Sequence, residues 1–185
     1  DLPRRTAVQQ LSNIYWQWRD TVSIRMAVDR AFDVEAVTKQ FFEDYKRVFD
    51  SVMGMVKGFG ASDGEQEAKK LFVQTLFNRL MFIYFISRKG WLAFDRDKDY
   101  LNALRKDYLS QSKHEDFYTS RLQNLFFAGL NNEDCPDVRP PMLGSLGCEP
   151  PFVNGGLFDR TPEEKRANIV VPDEAVNQIL HELFD

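Results

Sequence analysis

Apolar side chains recur at helical spacing through Val37, Phe41, Tyr45, Val48, Phe49, Val52 and Val56. One face of the chain after Asp33 is thus apolar for about six turns, which predicts an amphipathic helix. Upstream, residues 6–18 and 21–32 predict two shorter helices, the second with Ile24, Val28, Ala31 and Phe32 on one face. The long helix runs into Gly58-Phe59-Gly60-Ala61-Ser62-Asp63-Gly64, a connector with helix-stopping glycine at its start. From about residue 65 to 88 the pattern changes. Leu71, Phe72, Val73, Leu76, Phe77, Leu80, Met81, Phe82, Ile83, Tyr84 and Phe85 leave hardly any side of this helix polar. A helix apolar all round in a soluble chain is a central one, enclosed by others. Arg88, Lys89 and Gly90 then set cations at the negative end of its dipole, followed by a stop.

Residues 100–109 and 117–130 predict two further helices. Between 131 and 158 the period is lost and Pro, Gly, Cys and Asn prevail; irregular stretches of that length are usually functional or disordered. Ile169-Val170-Val171-Pro172 predicts a short extended piece, and Asp173 caps a final helix over 174–184, with Val176, Ile179, Leu180 and Leu183 on its buried face. The expected fold is mainly α, a multi-helix bundle around the central apolar helix, with one or two short strands near a C-terminal Asn-Gly-Gly turn. Four stretches follow from this pattern: an N-terminal helical extension over 1–32, a helical bundle core over 33–130, an irregular loop region over 131–172 and a C-terminal helix over 173–185.

The turn itself lies in Pro150-Pro151-Phe152-Val153-Asn154-Gly155-Gly156-Leu157-Phe158-Asp159. The prolines impose an extended approach, and Asn154, Gly155 and Gly156 tolerate positive φ, so the backbone can reverse tightly. Phe152, Leu157 and Phe158 flank the reversal with bulk that must be buried, on this chain's own core or on a neighbour.

At 185 residues the chain suits one domain or one and a half, and its 16 phenylalanines indicate an aromatic-rich core. A net charge of −4 excludes a polycation, though not a local basic patch. Cys135 and Cys148 are too few for a disulfide framework and are expected to be a reduced cytosolic pair. The sequence begins at Asp1 without a signal peptide or an initiator Met, so an excerpt of a longer polypeptide is expected. The most apolar run, 71–86, carries Gln74, Asn78 and Arg79 and is too short to span a bilayer. A soluble, cytoplasmic chain without membrane partners is expected.

Candidate chemistry is thin. Glu163-Glu164-Lys165, with Pro136-Asp137 upstream, fits half of a metal-dependent nuclease motif, but such sites need carboxylates converging from a sheet, and Thr161-Pro162 marks a helix start instead. Cys135, Cys148, His114 and His181 lack the close pairing of zinc ligands. Gly58-Phe59-Gly60 follows a helix rather than the strand that a phosphate loop needs. No catalytic residue and no metal ligand is assigned.

The segment Lys69-Lys70-Leu71-Phe72-Val73-Gln74-Thr75-Leu76-Phe77-Asn78-Arg79-Leu80-Met81-Phe82-Ile83-Tyr84-Phe85-Ile86-Ser87-Arg88-Lys89-Gly90-Trp91-Leu92 resembles the helical region before the methyltransferase core of type IIG restriction-modification enzymes. In these large bacterial proteins one chain carries nuclease, adenine-specific DNA methyltransferase and target-recognition parts. Three further pieces fall in the family's order. They are Phe32-Asp33-Val34-Glu35-Ala36-Val37-Thr38-Lys39-Gln40-Phe41-Phe42, then Phe117-Tyr118 with Leu125-Phe126-Phe127-Ala128-Gly129-Leu130-Asn131, then Phe152-Val153-Asn154-Gly155-Gly156-Leu157-Phe158. Related methylases of phage-defence systems share the region. The resemblance runs from about Phe32 to the end. The family's methyl-donor motif, its Asn-Pro-Pro-Tyr-type catalytic motif and its nuclease motif are absent from this sequence, so no catalytic residue carries over.

The resemblance therefore implies a non-catalytic helical connector, with a nuclease before it and a methyltransferase domain after it in the parent protein. The fragment itself is expected to be inactive and to hold no cofactor. For the parent the resemblance implies S-adenosylmethionine as cofactor, DNA as partner, and DNA adenine methyltransferase or restriction endonuclease activity. Arg88 and Lys89 are the candidate phosphate contacts, with compensation of the helix dipole as the plainer alternative. Asn154, Gly155 and Gly156 are the candidate domain-interface turn. Arg79, inside the apolar helix, is expected to be buried or snorkelling. The alternative function is a protein-interaction scaffold with no nucleic-acid contact, which the acidic net charge favours.

Overall fold

The helix predicted after Asp33 forms as α1 (Val34–Met55), and the apolar one after it as α2 (Asp63–Arg88). In the computed structural model the described residues are 34–111, 116–131, 145–153, 156–166 and 168–184. The predicted helices over 6–18 and 21–32, and His114, Cys135, Pro136, Asp137, Asn154 and Gly155, lie outside them. Among the described residues the chain is mostly helical. After α2 come α3 (Tyr100–Ser110), two π-helical segments (Tyr118–Leu122 and Asn124–Leu130) and α4 (Asp173–Ile179), continued by a π-helical turn (Leu180–Phe184). Short 3-10 turns stand at Gly156–Phe158 and Glu164–Arg166.

Two compact units divide the chain between Arg47 and Val48. Of the first, the start of α1 is described, where the Phe41 and Tyr45 rings lie 6.4 Å apart, one helical turn separating them. The second, Val48–Phe184, holds all that follows.

Both ends of α2 are closed by local chemistry. At the start, the Ser62 side chain accepts from the Glu65 N–H and the Glu65 carboxylate accepts from the Gly60 N–H, each at 3.4 Å, which occupies donors that a first turn leaves unpaired. At the end, the Gly90 N–H donates to the Ser87 carbonyl at 2.8 Å and the Trp91 N–H to the Ile86 carbonyl at 3.0 Å. That pair of bonds is the Schellman arrangement, and it requires the φ of +80° that Gly90 adopts. The stop expected at Gly90 is thus built as the sequence suggests.

Phe72, Val73, Leu76, Phe77, Leu80, Ile83 and Ile86 of α2 are buried, with Val48 and Val52 of α1, Val56 just after it, and Leu101 and Leu104 of α3. An aromatic chain continues the core: Phe72 meets Tyr118 at 6.0 Å, Tyr118 meets Phe126 at 6.5 Å, and Phe158 lies 5.9 Å from Phe126 and 5.7 Å from Phe82. The expectation of burial on every side of α2 is not met. Glu67, Leu71, Gln74, Asn78, Phe85 and Arg88 form an exposed stripe at steps of four, three, four, seven and three residues, and Leu71 and Phe85 are 55% and 51% exposed.

The expected strands near the turn do not form among the described residues. The 169–172 piece makes one isolated bridge, Val170 with Lys57, through bonds of 3.0 and 3.1 Å. Pro172 has no N–H to extend it, and a Cβ at Gly58 would collide with the Asn168 carbonyl, so the two backbones meet at a single point. The expected cap at Asp173 is also corrected. Pro172 holds the cap position of α4 without a side-chain bond. The Asp173 carboxylate instead accepts the Phe117 N–H at 2.7 Å and the Tyr108 hydroxyl at 2.9 Å, tying α4 to the π-helical segment and to α3.

Candidate nucleic-acid and domain interface

The dipole and the cap that end α2 leave its last two cations outward. Arg88 and Lys89 are both exposed. The Arg88 guanidinium lies 4.9 Å above the Tyr84 ring, which stacks in turn on Phe184 at 4.7 Å with 15° between the planes. The Lys89 ammonium lies 5.5 Å from the Phe85 ring. Contact with a ring face orients a cation while leaving its N–H groups free for an anion. Trp91, 67% exposed, follows directly. The end of α2 is therefore a cationic and aromatic surface, suited chemically to phosphate contact and stacking.

Of the turn residues, Gly156 is exposed and opens the 3-10 turn Gly156–Phe158. Its flanking bulk divides. Phe158 is fully buried between Phe82 and Phe126, Leu157 is half-buried, and Phe152 stays 59% exposed. The segment thus docks on this chain's own core through Phe158, and Phe152 remains outward.

What holds that segment is a buried ion pair that sequence reasoning did not join. Arg79, 1% exposed, donates from Nη1 to Glu164 Oε1 at 2.6 Å and from Nη2 to Oε2 at 3.3 Å. Its Nε donates to the Leu157 carbonyl at 2.7 Å and its Nη2 to the Asp159 carbonyl at 2.6 Å. The Tyr118 hydroxyl donates to Glu164 Oε1 at 2.7 Å, and the Thr161 N–H to Oε2 at 2.9 Å. Phe126 and Phe127 cover the guanidinium at 5.1 and 5.3 Å. Burial, and then the neighbouring Glu164 charge, push the Tyr118 phenol well above its ordinary range. Glu164 is thus a structural carboxylate, both of whose oxygens accept protein donors. The signal was present: Thr161-Pro162-Glu163-Glu164 is a capping box, and the Glu164 N–H returns to Thr161 Oγ1 at 3.3 Å. A buried arginine also demands an acid.

Burial, together with the Asp173 carboxylate that its hydroxyl meets, pushes the Tyr108 phenol up to about 12. Cys148 is a free, half-buried thiol raised by burial. Among the described residues no cluster of His, Cys, Asp or Glu is arranged to hold a metal ion, and no helix is long and apolar enough to cross a membrane. A recess of about 160 Å³ lined by Thr119, Gln123, Arg160, Glu164 and Ile169 opens beside the ion pair. That is below the roughly 300 Å³ at which pockets for small organic cofactors begin. No strand aims a glycine-rich loop among the described residues.

No family model and no solved structure matches the chain. Over 117 residues, 63% of its length, the chain is 27% identical to a protein of Methanocaldococcus jannaschii that bears the provisional name type II restriction enzyme and methyltransferase. The chain spans 9% of that relative's length. The likeness supports a distant relationship to restriction-modification proteins.

Proposed function

We propose that this chain is a non-catalytic helical connector of a cytoplasmic restriction-modification DNA methyltransferase of phage defence, positioning DNA and linking nuclease and methyltransferase parts. The partial identity to the archaeal restriction enzyme and methyltransferase carries the reading. In it α2 is the central spine, Arg88 and Lys89 at its end touch backbone phosphates, and the turn at Asn154, Gly155 and Gly156 borders the methyltransferase domain, with Phe152 as its outward apolar contact. DNA and the two flanking domains are the partners, and S-adenosylmethionine serves the parent protein outside this chain. One observation favours the scaffold reading: Leu71, Phe85, Trp91 and Phe152 all stand exposed, and apolar surface of that kind marks protein contact.

A labelled-methyl transfer assay on DNA separates the parts. The isolated chain transfers nothing, and the parent protein transfers methyl groups only with the downstream domain intact. Transfer by the isolated chain would overturn the connector reading. Binding of an arbitrary duplex by the parent, lost steeply as salt rises, favours the connector over the scaffold; no effect of Arg88→Ala with Lys89→Ala on that binding favours the scaffold.

A further inference from the structure

We propose that Arg160, with Thr119 and Gln123 beside it, forms a phosphate-binding site. Arg160 is half-buried, and its guanidinium carbon lies 4.2 Å from the centre of the Phe127 ring. No ion pair or hydrogen bond joins that guanidinium to an acid among the described residues. Its backbone is fixed on both sides by the buried pair: the Asp159 carbonyl accepts from Arg79, and the Thr161 N–H donates to Glu164. A side chain whose backbone neighbours are held and whose cation rests on a ring keeps its N–H edge for an anion. That edge is the fork that meets two oxygens of a phosphate.

The recess beside it, about 160 Å³, is lined by Thr119, Gln123, Glu164 and Ile169 as well as Arg160, and the Gln123 side chain is hydrogen-bonded to the Tyr118 phenol. The volume suits one phosphate group and excludes a whole nucleotide. Glu164 also lines it, but both of its oxygens are occupied by Arg79, Tyr118 and Thr161, and its charge is balanced by Arg79. Asp159, the nearest other acid along the chain, accepts from Asn131 at 3.4 Å. The phosphate comes either from a DNA backbone or from a small free phosphate. Only the first source rests on the connector reading.

The test uses the 185-residue chain with Arg160→Gln and Arg160→Lys, a short fluorescent duplex of arbitrary sequence, and inorganic phosphate. If the source is DNA, Arg160→Gln weakens duplex binding by about tenfold, the weight of one charge-assisted hydrogen bond. It also flattens the slope of log K against log salt by about one, while Arg160→Lys, which keeps the charge without the fork, falls between. If the source is free phosphate, inorganic phosphate raises the melting temperature of the unaltered chain and not of Arg160→Gln, with no change at the duplex. The site is overturned if neither probe binds, or if both bind the folded Arg160→Gln chain as they bind the unaltered one. Should Arg160→Gln fail to fold, Arg160→Lys and Thr119→Val supply the same comparison. Duplex binding weakened by Arg88→Ala with Lys89→Ala but not by Arg160→Gln, together with a response to inorganic phosphate that Arg160→Gln leaves unchanged, removes this site and keeps the connector. Phosphate binding that depends on Arg160, without any duplex binding, does the reverse.

Discussion

Two arginines of one helix meet opposite fates. Arg79 is enclosed by Phe126 and Phe127, and its donors go to Glu164 and to the carbonyls of Leu157 and Asp159. Arg88 ends the same helix, lies over Tyr84 and keeps its polar edge in solvent. The first makes four hydrogen bonds inside the core and ties an irregular loop to the helix. The second rests on the Tyr84 ring at the exposed helix end, the position that the proposed phosphate contact requires. Position along a helix does not decide between these outcomes. The presence of an acid brought by another segment does.

The largest expected effect breaks the buried half of this comparison. Arg79→Met strands the Glu164 carboxylate in the core and orphans the carbonyls of Leu157 and Asp159, at a cost of about 3–5 kcal/mol. Glu164→Gln leaves the buried guanidinium without its acid and turns an amide NH2 towards donors, so it too costs about 3–5 kcal/mol and the gap between the two variants is small. Urea denaturation of both variants measures the gap. A cost below about 1 kcal/mol for Arg79→Met would mean that the pair is solvated and the loop is held otherwise.

Next come the two faces of α2. Leu76 and Ile83 are buried to 1% and 0% exposure, and truncation of either to Ala costs about 2–5 kcal/mol, as for other large side chains in packed cores. Leu71→Ala, on the exposed stripe, changes stability by less than about 0.5 kcal/mol. Equal costs at Leu71 and Leu76 in the same denaturant series would erase the distinction between the faces.

The helices were readable because periodicity and caps are local properties. The start of α1 after Asp33, the Ser62 cap and the Gly90 stop each depend on a few neighbouring residues. What was hidden depended on residues far apart in the chain. Eleven apolar residues in α2 suggested burial all round, yet the exposed stripe keeps Leu71 and Phe85 among Glu67, Gln74 and Asn78, and the composition of a helix does not say which neighbours exist to cover it. Val170 looked like a strand residue and found one partner, Lys57. Asp173 looked like a cap for its own helix and serves Phe117 and Tyr108 instead. The Arg79–Glu164 pair left traces at both ends, a cation in an apolar helix and a capping box, but only the fold brings them together. Arg160 left none, because its value lies in Phe127 beneath it and in the bonds that pin its neighbours.

A smaller effect is expected at high pH, where the shifted phenols ionise. Tyr108 titrates near 12 in the folded chain against 10.0 ordinarily, through burial and the Asp173 carboxylate, and Tyr118 is shifted the same way. A phenol that holds its proton more tightly when folded contributes stability in full below pH 10, and that contribution fades as pH rises through its folded pKa. Denaturation midpoints therefore fall between about pH 10 and 12. Asp173→Asn removes the charge and draws the Tyr108 ionisation, followed by phenolate absorbance, back towards 10. An unmoved titration would mean that burial alone sets it.

The smallest effect on stability belongs to the exposed half of the comparison, and it is the one that bears on function. Arg88→Ala with Lys89→Ala removes two cations from the end of α2 while the Schellman bonds from Gly90 and Trp91 remain, since these involve backbone alone. The denaturation midpoint should scarcely move. What should change is duplex binding by the parent protein: weaker for every sequence alike, because phosphates carry no sequence information, with a salt slope flattened by up to about two, one for each cation. A clear loss of stability with unchanged DNA binding would reverse the assignment. Arg88 and Lys89 would then serve the helix dipole, as Arg79 serves the core, and α2 would carry no cation reserved for a phosphate at this end.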